Sequence, residues 1–320
     1  MRSAQYRVVV LAAAVAVLLA VGGLLSLRSA IAAGEPAYDV PESSLAAALG
    51  CPAGGFTHPE HEPVLLVHGT FATPQENWGG NYALVLPQLG YDVCTVTLPY
   101  RSMGDIQVAA EYVVYAVKYI YATTGQKVNI LGHSQGPLEP RWAIKWWPSL
   151  QTEVDHLVMM ASPNHGTVVA DGSSGCAACY QMKPGANFLN ALNAGDETPG
   201  PVSYTSLYSS TDELVEPSST AVIDGGDNIL MQDVCPGRVV EHVEFATDAA
   251  AFALVMDAFT HPGQGADPAR IDKSVCLQGT FPGVDGTKDG DNFTQGWPFA
   301  GQTFVLAEPP LKCYVTVTCP

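Results

Sequence analysis

The pentapeptide Gly132-His133-Ser134-Gln135-Gly136 places a serine between two glycines. Where such a segment ends a strand and opens a helix, the chain turns sharply and lifts the hydroxyl above the sheet edge. There it can attack a carbonyl carbon. A hydroxyl is a poor nucleophile at neutral pH. It needs an imidazole within hydrogen-bond reach, and the imidazole needs a carboxylate to set its tautomer. Four histidines follow the serine: His156, His165, His242 and His261. The base belongs on a loop after the last strand and before a final helix, and His242 in Val239-Val240-Glu241-His242-Val243 fits. His156 comes too early. His165 falls in the next loop, where it is expected to line the pocket, and His261 reads as a surface cap.

For the acid, Asp212 in Tyr208-Ser209-Ser210-Thr211-Asp212-Glu213-Leu214-Val215 stands just beyond a strand end, where ligands gather in open parallel sheets. Polar neighbours are expected to hold its carboxylate. Glu213 is expected to face the other way. Asp224, Asp227 and Asp233 are alternatives in a Gly-rich turn, read here as local Asx caps. A developing oxyanion needs two preorganised donors. One is the backbone N–H of Gln135. The other comes from Val67-His68-Gly69-Thr70, where Thr70 offers both its N–H and its hydroxyl.

These groups need a scaffold. Val64 to Val67, Tyr91 to Leu98, Lys127 to Leu131, Val154 to Ala161 and Ser203 to Tyr208 read as strands, with a last one at Asn228 to Val234. Between them, Tyr82 to Leu89 reads as a short helix. Asp105 to Thr123 repeats apolar residues every three or four positions, with Asp105 as cap and Gly125 as stop. Further helices are expected from Pro137 to about Trp147 and from Asp248 to Phe259. Gly34 to Pro63 reads as a surface-hugging arm and His68 to Gly80 as a loop. From Gly279 onward the chain looks irregular, apart from a short strand near Tyr314 to Val317. Alternating strands and helices predict an α/β protein with a mostly parallel sheet and helices on both faces. The chain order Ser, Asp, His is that of the α/β-hydrolase fold. Residues 33–320 are expected to form one catalytic domain, with an irregular C-terminal extension from about 279.

The formal net charge is −17. Residues 1–32 carry Arg2, Arg7 and Arg28 and no acid, so without them 11 bases face 31 acids. Such a surface repels phosphate backbones and excludes nucleic acid as a partner. Two arginines, an apolar run from Val8 to Leu25 and Ala30-Ile31-Ala32 form the pattern of a secretory signal peptide over residues 1–32. An uncleaved membrane anchor is the alternative. Eight cysteines, an even number, suit disulfides in an exported chain. Cys176-x-x-Cys179 lacks the further ligands of a zinc site, so a local bridge is expected there. Asp285, Asp289, Gly290 and Asp291 faintly suggest a calcium loop. Thr287 at its third position and Gly296 at its twelfth break that pattern. No metal or other cofactor is expected.

With these pieces in hand, the chain resembles the Candida antarctica lipase B family and its actinobacterial lipase relatives. The matching text is Asn77-Trp78, Leu89-Gly90-Tyr91 with Cys94, Ser134-Gln135-Gly136, Leu207-Tyr208-Ser209, Thr211-Asp212-Glu213 with Val215, and Val234-Cys235 followed by His242. The resemblance runs from about Cys51 to Cys276. It implies a triad of Ser134, Asp212 and His242, oxyanion donors at Thr70 and Gln135, and bridges Cys51–Cys94 and Cys235–Cys276. The remaining cysteines are then assigned as Cys176–Cys179 and Cys313–Cys319. The chain departs from the family at Pro163-Asn164-His165, at the insertion holding Cys176 and Cys179, and at the polar, Gly-rich stretch from Gly279 to Phe299. The expected activity is a secreted serine ester hydrolase, a lipase or esterase acting on acylglycerols or other hydrophobic esters through an acyl-enzyme. The protein is expected to be a monomer that meets lipid at an oil–water interface. Trp78, Tyr100 and Trp142 are candidate walls of the acyl channel. The alternatives are a polyester hydrolase, an acyltransferase on cell-envelope lipids, and an inert hydrolase fold that only binds.

Overall fold

The computed structural model describes residues 34–172, 175–287 and 304–316. The segment read as a signal peptide lies outside the described residues. By contacts the chain divides into a unit of residues 1–37 and a unit of residues 38–320, and the site belongs to the second.

Among the described residues that unit is built on seven strands: β1 (Leu49–Gly50), β2 (Val64–Val67), β3 (Val93–Val96), β4 (Val128–His133), β5 (Val154–Met160), β6 (Ser203–Tyr208) and β7 (Asp227–Leu230). Their order across the sheet is β1-β3-β2-β4-β5-β6-β7. Only β1 runs antiparallel; the other neighbouring pairs are parallel. Every residue of β2, β4 and β5 is buried. Helices cover both faces, so these strands read as continuous apolar runs. The strand period of two then sorts side chains between two cores. Leu65 and Val67 join Ile130 and Leu157 on one face, beneath the Ile106–Thr124 and Leu138–Trp146 helices. Val64 and Leu66 join Leu131 and Val158 on the other, against the Ala249–Phe259 helix. Truncating one such leucine to alanine costs about 2–5 kcal/mol.

The Ile106–Thr124 helix starts as its sequence dictates. Asp105 accepts from the Gln107 N–H, and Gly125 ends the helix at φ 70°. Asp248 likewise caps the Ala249–Phe259 helix through the N–H groups of Ala250 and Ala251.

Several expectations need correction. The segment read as an arm holds a helix, Glu42–Ala48, and then β1, which pairs with Val96 and Thr95 at the sheet edge. The segment read as a loop after β2 contains the helix Pro74–Trp78. Thr73 and Glu76 form a reciprocal capping box around its start, with Pro74 in the first turn. The last strand stops at Leu230, and Met231–Val234 is one helical turn. Near the C-terminus, Cys313–Val315 is a 3₁₀ turn instead of a strand. That final segment is nonetheless tied to the core. Tyr314 packs edge-on against Trp147 and its hydroxyl accepts from Trp142 Nε1. Glu308 accepts from the N–H groups of Asn187 and Phe188.

Disulfides join Cys51 to Cys94, Cys176 to Cys179 and Cys235 to Cys276. The first links residues 43 apart and ties the chain before β2 to β3. In the chain-entropy model a loop of this size is worth about 4 kcal/mol. Cys319, the assigned partner of Cys313, lies outside the described residues. So do Asp289, Gly290, Asp291 and Gly296 of the faint calcium pattern.

Candidate active site

Strand β4 ends at His133, and Ser134 follows with φ 61°. The left-handed conformation therefore falls on the serine itself, not on the flanking glycines. The glycines are needed for close approach. A Cβ on Gly136 would stand 2.3 Å from the Val67 carbonyl oxygen. One on Gly69 would stand 2.8 Å from the Ser134 Cβ. Such contacts let the β2 loop and the β4 turn touch backbone to backbone. A left-handed non-glycine residue costs on the order of 1–3 kcal/mol and persists only where its surroundings over-determine it. Here the Ser134 N–H donates to the Met160 carbonyl and the Gly136 N–H to the His133 carbonyl.

The structure brings Ser134, His242 and Asp212 together across 108 and 30 residues of chain. His242 Nε2 lies 2.8 Å from Ser134 Oγ. His242 Nδ1 lies 3.0 and 3.1 Å from the two oxygens of Asp212. Asp212 Oδ1 also accepts from the N–H groups of Leu214 and Val215. Backbone amides thus hold the carboxylate, in place of the polar neighbours expected. Burial works against the charge of Asp212. The His242 hydrogen bond and the two amides outweigh it and keep the carboxyl below its usual range.

Thr211 and Glu213 hold the histidine loop. Thr211 Oγ1 donates to the Val240 carbonyl and accepts from the Val240 N–H. Glu213 Oε2 accepts from the His242 N–H at 2.9 Å, so it faces the histidine and not away from it. The Cys235–Cys276 bridge anchors the same loop from the other side. Arg238 adds an ion pair to Asp248 and bonds to the carbonyls of Gln278 and Gly279.

His133 lies inside the Gly-x-Ser-x-Gly motif. Its Nε2–H donates to the His242 carbonyl at 2.9 Å. Burial, with the neighbouring His242 adding to it, pushes the His133 ring down to about 3. It is therefore a neutral prop that adds no positive charge beside the base. Asn77 completes this layer: its Oδ1 accepts from the Gly69 N–H at 2.9 Å. His68 is fixed similarly. Its Nε2 accepts from the Leu98 N–H, which makes Nδ1 the donor to the Gly69 carbonyl, and burial pushes the ring down to about 4.

Thr70 and Gln135 meet beside Ser134, where the Thr70 hydroxyl lies 2.6 Å from Gln135 Oε1. Among the described residues, neither backbone N–H donates to an acceptor. Two unpaired donors flanking a serine are what an oxyanion requires.

A cavity of about 210 Å³ opens from Ser134. Its walls are apolar: Phe71, Val169, Ala170, Met182, Leu214 and Val215. Cys179 of the inserted disulfide also lines it. None of the three aromatic candidates does. Trp78 is buried edge-on against Tyr82 and His133. Trp142 stacks between Trp146 and Phe188 in the core. Tyr100 is 52% exposed and lines a separate hollow with Met103 and Tyr112. His165 turns from the cavity to pair with Glu197 at 3.0 Å. His156 lies inside β5, and His261 caps a helix end through the Asp257 carbonyl.

Comparison with known proteins agrees with this geometry. Residues 61–232 match the family model described as lipase (class 2). Over 233 residues the chain is 34% identical to lipase B of Pseudozyma antarctica, spanning 69% of this chain and 68% of that protein. The crystal structure of Aspergillus fumigatus lipase B superposes with a TM-score of 0.80 at 29% identity, covering 89% of this chain and 74% of the other.

Proposed function

The chain belongs to the class 2 lipase family and is an ester hydrolase of the α/β-hydrolase fold; from that premise we propose that it is an exported lipase or esterase that cleaves acylglycerols and similar hydrophobic esters at Ser134. Ser134 Oγ attacks the ester carbonyl while His242 Nε2 takes its proton. Asp212 stabilises the imidazolium. The tetrahedral oxyanion receives the N–H groups of Thr70 and Gln135. As the intermediate collapses, the alkoxide leaves with the proton from His242, and the acyl group stays on Ser134. Water then attacks the acyl carbonyl, His242 again acting as base, and the carboxylic acid departs from a regenerated serine.

The single observation that carries this reading is the continuous line from Ser134 Oγ to His242 to Asp212 at the mouth of an apolar cavity. The preference for hydrophobic acyl groups rests on the walls and rim. Val169, Leu214 and Val243 line the cavity while staying 39%, 40% and 37% exposed. An apolar rim of this kind suits contact with a lipid surface. The volume sets a scale as well. A cavity of about 150 Å³ holds a six-carbon ring, so the described walls leave room for a short acyl chain.

Export is supported by the three disulfides found among the described residues, since such bonds persist in oxidising compartments. Among the described residues no helix is long and apolar enough to cross a membrane. We take residues 33–320 as one catalytic domain acting as a monomer.

A substrate series tests the proposal. Triacylglycerols and p-nitrophenyl esters of two to sixteen carbons, with and without an emulsion, are expected to give the highest kcat/KM near four to eight carbons. A fluorophosphonate is expected to label Ser134 stoichiometrically. Failure of Ser134 to react would mark the fold as a binding protein. Hydrolysis of polyester films above that of any acylglycerol would favour the polyester reading.

A further inference from the structure

A second cluster of reactive side chains lies at the end of the sheet opposite Ser134. Asp155 and His156 stand near the start of β5, Asn129 near the start of β4, and Glu62 two residues before β2. The register pairs Val64 with Asn129 and Asn129 with His156, which brings these residues together across three neighbouring strands. One donor atom from each of Glu62, Asp155 and His156 lies within 4.8 Å of the other two. Asn129 precedes Ser134 by five residues, about 16 Å along an extended strand. The cluster is therefore separate from the acyl-enzyme chemistry.

Its polar groups are not all matched. His156 Nε2 lies 2.8 Å from the Gln264 carbonyl, so it carries a ring proton. A neutral ring then turns the Nδ1 lone pair towards two oxygens, Asn129 Oδ1 at 2.8 Å and Asp155 Oδ2 at 3.1 Å. A positive centre belongs between them. A second ring proton would serve those two oxygens but not Glu62. Glu62 Oε2 is buried and has no hydrogen-bond partner among the described residues, and the same holds for Nδ2 of the fully buried Asn129. Burial and the Asp155 charge work against ionisation of Glu62, while the adjoining Asn129 amide favours it. Lys127 supplies one cation, on Asp155 Oδ1, and the Gly263 N–H donates to Oδ2. Two carboxylates thus share one lysine.

We propose that Glu62, Asp155 and His156 form a structural site for a divalent transition-metal ion, zinc by its donor set, with Asn129 Oδ1 as the fourth donor. An imidazole with carboxylates suits zinc, whereas magnesium and calcium take oxygen ligands. Ligands about 2.0–2.2 Å from a tetrahedral zinc ion stand about 3.3–3.6 Å apart. The 3.1 Å between His156 Nδ1 and Asp155 Oδ2 is close to that spacing, and a side-chain adjustment of Glu62 closes the set. The outer contact is also in place. A metal-bound histidine gives its other ring N–H to a carboxylate or a carbonyl, and the Gln264 carbonyl receives it here. The ion would tie the segment before β2 to β4, β5 and, through Gln264, the loop after the Ala249–Phe259 helix. Lys127 opposes it by competing for the Asp155 carboxylate.

The test is metal binding and stability of the full chain, stripped with dipicolinate and desalted. Zinc chloride is titrated by calorimetry and cobalt(II) by visible absorption. One ion per chain is expected, with the intense bands of tetrahedral cobalt. At a hundredfold excess over Kd, zinc is expected to raise Tm by about 5 °C, whereas magnesium leaves it unchanged. Glu62→Gln is expected to lose about a hundredfold in zinc affinity, and with it the gain in Tm. Lys127→Met, which removes the competing ammonium, is expected to bind zinc more tightly than wild type. Absence of tetrahedral cobalt bands overturns the proposal and leaves His156 answered by a proton alone. So does zinc binding that Glu62→Gln keeps at full affinity, since surface groups then hold the ion. Should Glu62→Gln not fold, zinc binding in Lys127→Met no tighter than in wild type overturns the proposal instead.

Discussion

Two imidazole–carboxylate pairs stand at opposite ends of the same sheet. At the C-terminal ends of the strands, His242 Nδ1 lies 3.0 Å from Asp212. Near the start of β5, His156 Nδ1 lies 3.1 Å from Asp155. Both histidines are buried, and both carboxylates are held below their usual range. The pairs differ at the other ring nitrogen. His242 Nε2 faces the Ser134 hydroxyl across 2.8 Å. His156 Nε2 is tied to the Gln264 carbonyl at 2.8 Å, and its Nδ1 also meets Asn129 Oδ1. Asp155 is further engaged by Lys127 and by the Gly263 N–H. One pair turns a nitrogen to a serine hydroxyl at a cavity mouth. The other has every polar atom of its ring matched to a fixed partner, and so it crosslinks β4, β5 and the loop after the Ala249–Phe259 helix.

Matched substitutions break or sharpen this contrast. The largest effect is expected from Asp212→Asn, which leaves the shape intact but destabilises the imidazolium. In a serine–histidine–aspartate triad this change lowers kcat about 10⁴-fold. Asp155→Asn should change kcat by no more than about threefold, since it lies outside the reacting line. Initial rates on p-nitrophenyl butyrate measure both. A large loss in Asp155→Asn with the fold intact would erase the distinction.

Thr70→Val, which removes the hydroxyl bonded to Gln135 beside Ser134, comes next, at about tenfold in kcat through a loosened oxyanion loop. The stabilities should then run opposite to the activities. Burial opposes the Asp155 charge, but bonds from His156, Lys127 and Gly263 outweigh it and depress the folded-state value. The stability it contributes is present above the unfolded carboxylate range, near pH 4, and fades as pH falls towards the lower folded value. Urea melts between pH 3 and pH 7 should show wild type losing this increment on the acid side and Asp155→Asn lacking it at every pH.

The smallest effect is expected from Glu213→Gln. The amide oxygen can still accept the His242 N–H, so kcat should fall only a few-fold. Glu213→Ala should fall by about tenfold through a loosened histidine loop. Equal rates for the two variants would mean that the contact does not position the base.

What could be read from the chain alone followed from local rules. Asp105 and Asp248 announce helix starts because an Asx side chain satisfies the first free N–H groups. The Val64–Val67 run announces a strand covered on both faces. Ser134 was legible because the elbow is written in five consecutive residues. Asp212 and His242 were assigned from chain order and position beyond strand ends. The Pro74–Trp78 helix is written equally locally, in Thr73 and Glu76 of its capping box.

The sequence by itself determined the alternation of strands and helices, the Gly-x-Ser-x-Gly elbow and the chain order of Ser134, Asp212 and His242, because these depend on spacings of a few residues and on backbone sterics. Only the tertiary structure decided which histidine turns a nitrogen to Ser134, that Glu213 accepts from the His242 N–H and that His133 stays neutral. It also decided that the cavity beside Ser134 is walled by Val169, Met182 and Leu214 instead of Trp78, Tyr100 or Trp142. Each of those facts depends on partners up to 109 residues away and on burial. Residue type states what a side chain can donate, accept or fill, and the packed fold states which partner it meets.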